Sequence, residues 1–271
     1  MAKKAIKTEY RVKSPKIDKP IRLALLADIH ERKADDIIAL LKESEPDIIA
    51  VVGDTLERID RAKRRMNQKH RYNRLYRLFL IVMFNLNRFS IHIFRRNNLP
   101  ETENACKILS EAAKLAPVFL CRGNHEDYFE EADLAFFSEN GITLLNNFDT
   151  AVEINGSRLR VGALSVEPDE EWLEGFSRCA GFKLLLCHFP SFYDEYIAGK
   201  DIDLTLSGHN HGGQIRLFRR GIISPGGGFF PKYDKGLYED RLVVTAGCSN
   251  TASVPRLNNP RELVVVNIEG E

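Results

Sequence analysis

Hydrophobic residues along this chain occur in short runs separated by polar and turn-forming residues. The runs Ile21 to Ala27 and Asp47 to Val52 have the length and composition expected of buried strands. Between them, Ala34 to Ser44 places its apolar residues at the spacing of a helix. A strand, a helix and a second strand joined by short loops predict a β-α-β unit with parallel strands.

The same pattern returns along the rest of the chain. A helix is predicted over Glu103 to Leu115, and a β-hairpin around Asn155-Gly156, a dipeptide that favours tight turns. Further strands are predicted at Pro117 to Cys121, Phe182 to Cys187, Asp203 to Leu206, Arg241 to Thr245 and Glu262 to Ile268. With no internal repeat, this alternation predicts one α/β domain over residues 1–271.

One segment, residues 60–100, does not follow this pattern and is interpreted as an insertion. Between Arg61 and Asn98 there are eleven basic residues and no Asp or Glu, and large apolar residues recur at helical spacing. Three interpretations stay open: contact with an anionic membrane or a lipid substrate, a cap or oligomer contact, and nucleic-acid binding. Nucleic-acid binding is the least favoured, because the segment is rich in large apolar side chains.

Composition narrows the class of protein only in part. The formal net charge of +1 does not indicate a general polyanion binder. The five cysteines form no C-x-x-C pair and are odd in number, which indicates reduced core residues and a cytoplasmic protein. Residues 1–20 do not resemble a signal peptide, and no run reaches the length of a membrane-spanning helix. Peripheral contact with the inner membrane face would come from residues 60–100.

Candidate chemistry is concentrated where the hydrophobic runs end. Five short motifs follow such runs: Asp28-Ile29-His30, Gly53-Asp54, Gly123-Asn124-His125, Cys187-His188 and Gly208-His209-Asn210-His211. Any one of them alone would be expected to form a turn or a cap. Together they hold five of the seven histidines, and strand ends in α/β sheets converge at one edge.

The residue types in these motifs indicate a metal site. In Asp28-x-His30 and His209-x-His211 the i, i+2 spacing predicts that both side chains point the same way from an extended backbone. Imidazole and carboxylate together suit Mn, Fe, Zn, Co or Ni better than Ca or Mg. His70 and His92 lie in the inserted segment and are not expected to bind the same metals.

Taken in order, the motifs resemble the calcineurin-like metallophosphoesterase superfamily, from Ile21 to about Gln214. The series Gly208 to Gln214 resembles the G-H-T-H-G-G-Q signature of a bacterial branch of small phosphodiesterases, with Asn210 in place of Thr. The resemblance implies a four-layer α/β sandwich, in which two mixed β-sheets are flanked by helices. It also implies hydrolysis of a phosphodiester or pyrophosphate bond, with a lipid-linked or nucleotide-sugar ester as one class of substrate.

The resemblance further implies a role for individual residues. Two divalent ions, with manganese the first expectation, would be held by two sets of ligands that share Asp54. The first set is Asp28, His30, Asp54 and His211, and the second is Asp54, Asn124, His188 and His209. A water between the ions would attack phosphorus. His125 would act on the leaving group as a general acid or a transition-state stabiliser.

Glu57 stands where relatives with a G-D-x-x-D motif have a second Asp, and it would orient His125. The alternative for Glu57 is a surface residue at the start of a helix. For the whole chain, the alternatives are a phosphomonoesterase or protein phosphatase, and a non-catalytic scaffold stabilised by metal. The presence of every expected ligand, and of His125, favours an enzyme over the scaffold.

Overall fold

The structure is a computed structural model that describes residues 4–60, 101–224, 228–249 and 256–271. Its helices are α1 (Asp35–Ser44), α2 (Thr102–Ala113), α3 (Glu131–Glu139) and α4 (Glu170–Ser177). The first eight strands are β1 (Ile6–Lys13), β2 (Ile21–Leu26), β3 (Ile48–Val52), β4 (Val118–Cys121), β5 (Ile142–Leu145), β6 (Phe148–Ile154), β7 (Ser157–Leu164) and β8 (Phe182–Cys187). The others are β9 (Leu204–Ser207), β10 (Arg216–Leu217), β11 (Arg220–Gly221), β12 (Ile223–Ser224), β13 (Gly228–Phe229), β14 (Gly236–Tyr238), β15 (Leu242–Val244) and β16 (Glu262–Glu269).

Two six-stranded mixed sheets form the centre of the molecule. The first has the strand order β1-β16-β2-β3-β4-β5, and the second has the order β14-β15-β9-β8-β7-β6. In the first sheet β2, β3, β4 and β5 are parallel, and in the second β7, β8, β9 and β15 are parallel. The carboxyl ends of parallel strands therefore lie at one edge of each sheet.

The alternation of side chains along the strands builds the layers. Leu23 and Leu25 of β2 are buried in one cluster with Leu184 and Leu186 of β8, which fills the space between the sheets. The intervening residues of β2 face the opposite way and pack with α1, α2 and α3. Leu185 of β8 packs with α4 in the same manner. The order helix, sheet, sheet, helix confirms the four-layer sandwich expected from the sequence.

Most elements predicted from hydrophobic runs are present within one or two residues. The hairpin expected at Asn155-Gly156 joins β6 to β7, and both turn residues have positive φ. The edge strand β1, the strand β5 and the helices α3 and α4 were not predicted, because their patterns are short or half-polar. The predicted insertion at residues 60–100 lies outside the described residues except for Asp60, so the domain division stays a prediction.

Candidate metal centre

The five motifs lie at the carboxyl ends of neighbouring parallel strands. Asp28 follows β2, Asp54 follows β3 and Asn124 follows β4 in the first sheet, while His188 follows β8 and His209 follows β9 in the second. The two edges face each other across the sandwich, since His188 Nδ1 lies 2.9 Å from the carbonyl oxygen of Val52. The chain topology thus brings residues separated by more than 180 positions together.

The loops that carry these side chains turn sharply. Five residues among the expected ligands have positive φ: Asp28 (54°), His30 (50°), Asp54 (52°), His209 (67°) and His211 (47°). The prediction of an extended backbone in the two i, i+2 motifs is therefore wrong. The turns arise because the loops bind one another: the Asp28 N–H donates to Gly53 O, and the His30 N–H donates to Asp54 O. Such backbone strain recurs at functional sites.

Among the described residues, three groups of donor atoms are close enough to hold a metal ion, with all atoms of a group within 4.8 Å of one another. They are Asp28 with His30 and His211, His30 with Asp54 and His125, and Asp54 with His188 and His209. All these residues are buried except His125 and His209, which are half-buried. The first and third groups come from both sheets.

Asp54 belongs to two of the three groups. Its Oδ2 is 3.7 Å from His30 Nε2, 3.3 Å from His188 Nε2 and 3.9 Å from His125 Nε2. In the group without Asp54, His211 Nε2 is 3.7 Å from Asp28 Oδ1. Two donors bound to one transition-metal ion at roughly 2.1 Å each lie roughly 3–3.5 Å apart, so these separations are close to those of a ligand shell.

Unsatisfied donor atoms provide an independent test of whether the residues fit a metal. Among the described residues, Asp28 Oδ2, His30 Nε2, Asn124 Oδ1 and His188 Nε2 are buried without a hydrogen-bond partner. Buried polar atoms in proteins nearly always have partners. These four are among twelve such atoms in the described residues, and all four lie on expected ligands, so a bound cation would satisfy atoms that the protein leaves unpaired at this site. The residues present therefore fit divalent metal ions.

The electrostatics of the cluster also favour a cation. Burial opposes the charge on Asp54, but His188 and His125 hold the pKa of this carboxyl well below its usual range. Burial likewise opposes protonation of His188, yet Asp54 and Asp28 raise the pKa of this imidazole to about 9. A positive charge beside Asp54, whether a proton on His188 or a divalent ion, is therefore favoured at this position.

Glu57 contacts two histidines at once. Its Oε1 lies 2.8 Å from His30 Nδ1 and its Oε2 lies 2.9 Å from His125 Nδ1. Burial would raise the pKa of Glu57, but the hydrogen bonds from His125 and His30 lower it to about 2. Glu57 lies in the loop after β3 and not at the start of a helix. Its contact with His30 was not expected from the sequence.

Glu126 holds the loops of the first sheet in place and was missed by the sequence analysis. This fully buried carboxylate accepts hydrogen bonds from the backbone N–H groups of Asp54 (2.9 Å), Thr55 (2.5 Å), Leu56 (2.8 Å) and Gly123 (2.6 Å). It fixes the two loops on which Asp54 and Asn124 lie. Its position directly after Asn124-His125 was a possible signal, but an acidic residue in a loop is usually exposed.

Side-chain amides and arginine guanidinium groups hold the ligand loop of the second sheet. Asn210 donates to the carbonyl of Tyr233 (2.6 Å) and accepts from the hydroxyl of Ser224 (2.7 Å). Asn259 donates to the carbonyl oxygen of His211 at 2.7 Å. Arg256 Nη2 lies 3.3 Å from His211 Nδ1, and burial together with this guanidinium lowers the pKa of His211 well below its ordinary value.

The remaining residues singled out in the sequence have no place in this cluster. His70 and His92 lie outside the described residues. Cys121 and Cys187 are buried beside the site, and burial raises the pKa of the Cys187 thiol to about 12, so the thiol stays protonated. Across the described part of the chain, no helix has the length and apolar character needed to cross a bilayer.

The molecule is a two-sheet α/β sandwich whose strand ends carry histidine and carboxylate donors. This arrangement is that of metal-binding α/β proteins. Within that class, the chain belongs to the calcineurin-like phosphoesterase family, whose model matches residues 21–213. The family acts on phosphate esters and uses divalent metals, which agrees with the donor groups described above.

Three relatives are similar over most of the chain. An uncharacterized metallophosphoesterase of Campylobacter jejuni, Cj0846, is 25% identical over 96% of this chain and 62% of its own length. The phosphodiesterase YaeI of Escherichia coli is 27% identical over 73% of this chain and 63% of its own length. An uncharacterized metallophosphoesterase of Aquifex aeolicus is 22% identical over 97% of this chain and 91% of its own length. The chain thus spans little more than three fifths of the length of the first two relatives.

Proposed function

We propose that this protein is a dinuclear-metal phosphoesterase that hydrolyses a phosphodiester or pyrophosphate bond. The observation that carries the proposal is the position of Asp54 Oδ2, within 3.3 Å of His188 Nε2 and 3.7 Å of His30 Nε2. A carboxylate between two sets of imidazole donors is the arrangement that two neighbouring cations require. The similarity to the phosphodiesterase YaeI supports a diester over a monoester.

In the proposed assignment the first ion is held by Asp28, His30, Asp54 and His211, and the second by Asp54, Asn124, His188 and His209. When bound, the two ions supply Lewis-acid stabilisation of the phosphoryl charge and activation of a water. Manganese is the first candidate, because imidazole, amide and carboxylate donors suit it and related transition metals.

The chain itself supplies a proton donor and its orienting group. The His125 side chain is 18% exposed, so it opens to the substrate side while most ligands are buried. Glu57 accepts the Nδ1–H of His125, which fixes the tautomer and leaves Nε2 directed away from Glu57. His125 Nε2 would then donate its proton to the oxygen of the leaving group, and Glu57 would stabilise the imidazolium form beforehand.

The test is hydrolysis of a panel of soluble phosphomonoesters, phosphodiesters and pyrophosphates by metal-depleted protein with Mn²⁺ added back. We expect diester or pyrophosphate cleavage that depends on the metal. Preferential cleavage of monoesters would select the phosphomonoesterase alternative. A protein that binds two ions and cleaves none of the panel would select the non-catalytic scaffold.

The substrate beyond its bond type is a separate proposal. The resemblance to the superfamily and the basic, apolar residues 60–100, which lie outside the described residues, together favour a lipid-linked or nucleotide-sugar ester. The panel therefore includes one short-chain phospholipid below its micelle concentration and one nucleoside diphosphate sugar. A preference of the wild-type protein for either over a simple diester would identify the substrate class.

A further inference from the structure

An exposed apolar patch adjoins the metal centre. Leu217 (52% exposed), Phe218 (90%), Phe230 (62%) and Leu257 (56%) are among the most exposed large hydrophobic side chains of the described residues. We call these four side chains, with Arg219 and Arg220 between them, the hairpin patch. Within the described part of the chain, none of these six side chains forms a hydrogen bond or an ion pair with an expected metal ligand.

Backbone hydrogen bonds join the patch into one surface. The Arg216 N–H donates to Leu257 O (3.0 Å), and Leu217 pairs with Arg220 in the β10–β11 hairpin. The Ile222 N–H donates to Ile215 O (2.8 Å), and the Phe230 N–H donates to Ile222 O (2.9 Å). Residue 257, the two hairpin strands and residue 230 are therefore adjacent segments.

The patch begins where the second ligand loop ends. Gln214 directly follows His211-Gly212-Gly213, and the Arg216 guanidinium donates to the carbonyl oxygen of Gly212 at 2.7 Å. Gly213 packs against Gly221 of the hairpin so closely that a Cβ on either residue would collide with the other backbone. A surface that binds the hairpin patch thus lies next to the His209–His211 loop.

The two residues at the tip of the β10–β11 hairpin are unusual for the backbone conformation that they adopt. Phe218 (φ 46°) and Arg219 (φ 72°) are the two central residues of a two-residue β-turn with positive φ at both positions. Asn and Gly are the residues that this turn favours, whereas an aromatic residue with positive φ is strained. Because Phe218 is 90% exposed, its ring gains no packing within the described protein that would offset the strain.

Charge identifies the kind of partner. From His209 to Tyr233 the sequence has four basic residues, Arg216, Arg219, Arg220 and Lys232, and no Asp or Glu. Arg216 pairs with Asp234 and Lys232 pairs with Asp194, whereas Arg219 and Arg220 are exposed at the tip. Exposed aromatic and aliphatic side chains flanked by arginines suit the headgroup region of an anionic bilayer, where the rings enter and the guanidinium groups meet phosphates.

We propose that the hairpin patch docks the protein on an anionic phospholipid surface, with Phe218 inserted. A protein partner fits less well, because a stable interface needs a broad surface of about 800 Å² on each side. The patch presents four apolar side chains on one two-residue turn and the segments beside it. Docking itself does not depend on the proposed phosphodiesterase function. The consequence that a surface-bound ester lies near the metals does rest on it.

A tryptophan probe tests insertion at the proposed residue. Phe218→Trp is compared with Phe148→Trp, whose position is 61% exposed at the far edge of the second sheet, on the opposite side from β14. With equimolar phosphatidylglycerol and phosphatidylcholine vesicles that carry brominated acyl chains, we expect quenching of the tryptophan at 218. Quenching in the Phe148→Trp variant should not exceed that of the wild-type protein, whose fluorescence comes from Trp172 alone.

Co-sedimentation with the same vesicles separates the apolar and charged contributions. Leu217→Ser with Phe218→Ser should weaken binding roughly tenfold or more at low and high salt, and Arg219→Glu with Arg220→Glu should do so mainly at low salt. The controls are Phe148→Ser and Arg158→Glu, which are exposed elsewhere. Unchanged circular dichroism spectra and thermal unfolding midpoints should show that all four variants are folded, and vesicle binding is measured without turnover.

Three results would overturn the proposal. The first is a wild-type protein that binds no anionic vesicles. The second is binding with no quenching at position 218 and no loss in the serine variant, which would assign lipid contact to another surface. The third is a concentration-dependent dimer that the serine variant abolishes while vesicle binding persists, which would make the patch a contact between two copies of the chain.

Discussion

The two sheets contribute to the metal centre by different means. In the first sheet, two carboxylates that are not proposed ligands hold the ligand loops: Glu57 contacts His30 and His125, and Glu126 accepts four backbone N–H groups. The ligand loop of the second sheet is held by the side-chain amides of Asn210 and Asn259 and by the guanidinium groups of Arg216 and Arg256. The first sheet therefore supplies nearly all the negative charge of the site.

This contrast in charge predicts that substitutions on the two sides of the site affect metal binding to different extents. Removing a carboxylate from the first sheet changes the charge that attracts the metals and leaves buried N–H groups or imidazoles unpaired, which is costly in a low-dielectric site. Changing an amide in the second sheet removes a neutral hydrogen bond, which contributes about 1 kcal/mol. Substitutions on the first-sheet side should therefore affect metal affinity and turnover far more than those on the second-sheet side.

The largest effect is expected for Asp54→Ala, because Asp54 Oδ2 faces both sets of donors. Both ions should bind more weakly, and kcat/KM should fall roughly 10³-fold or more, since bound metal contributes several kcal/mol to the transition state. The measurements are elemental analysis after reconstitution and hydrolysis of a soluble diester. Asp18→Ala, at an exposed carboxylate, is the control. Full occupancy of both sites in the Asp54 variant would sink the dinuclear assignment.

His125→Ala distinguishes a proton donor from a ligand. As a general acid His125 would contribute about 10²–10⁴-fold to turnover, and its loss should leave both ions bound. A substrate with a poor leaving group, such as an alkyl diester, is required because a nitrophenolate needs no protonation.

The competing assignment for His125 comes from its own geometry, since its Nε2 lies 3.9 Å from Asp54 Oδ2 in one group with His30. Metal content decides between the two roles. If the alanine variant retains one ion instead of two, His125 is a ligand. If it retains two ions and wild-type turnover of the alkyl diester, His125 is neither ligand nor acid.

Glu57→Gln should have an intermediate effect. A glutamine can accept a hydrogen bond from only one of the two imidazoles that Glu57 joins, and its NH₂ group would face the other. Loss of an outer-shell partner of a metal ligand costs about 10–100-fold in affinity or activity. Manganese titration and alkyl-diester kinetics measure the two effects separately, with Glu153→Gln at the exposed surface of β6 as the control. A change in turnover with no change in metal affinity would mean that the His30 contact is unimportant.

Much of this architecture could be predicted from the sequence, because it depends on short-range patterns. Buried runs gave β2, β3 and β8 within one residue, and the parallel strand ends explain why the five motifs meet. The contacts of Glu126 and Arg256 could not be predicted, since both residues lie in loops and reach their partners only through the tertiary fold. The positive φ of Asp28 and His30 was missed for a related reason: it follows from hydrogen bonds to the next loop, around Gly53 and Asp54.

The smallest effect is expected for Asn210→Thr, which installs the residue common in the related signature. Asn210 spans the Tyr233 carbonyl and the Ser224 hydroxyl with two hydrogen bonds, and a threonine hydroxyl is too short to reach both. The free energy of unfolding should fall by about 1 kcal/mol, measured by urea denaturation. Metal content should not change, and kcat/KM should fall less than roughly tenfold, the lower end for outer-shell groups.

Asn267→Thr, at a half-buried position on β16, is the matched control for Asn210→Thr. Loss of a metal ion in the Asn210 variant alone would contradict the proposed contrast between the sheets. It would mean that a neutral side chain holds His209 and His211 as firmly as the carboxylates hold the first-sheet ligands. An unchanged metal content with lowered stability would instead show that this amide stabilises the loop, while binding depends on the charged side of the site.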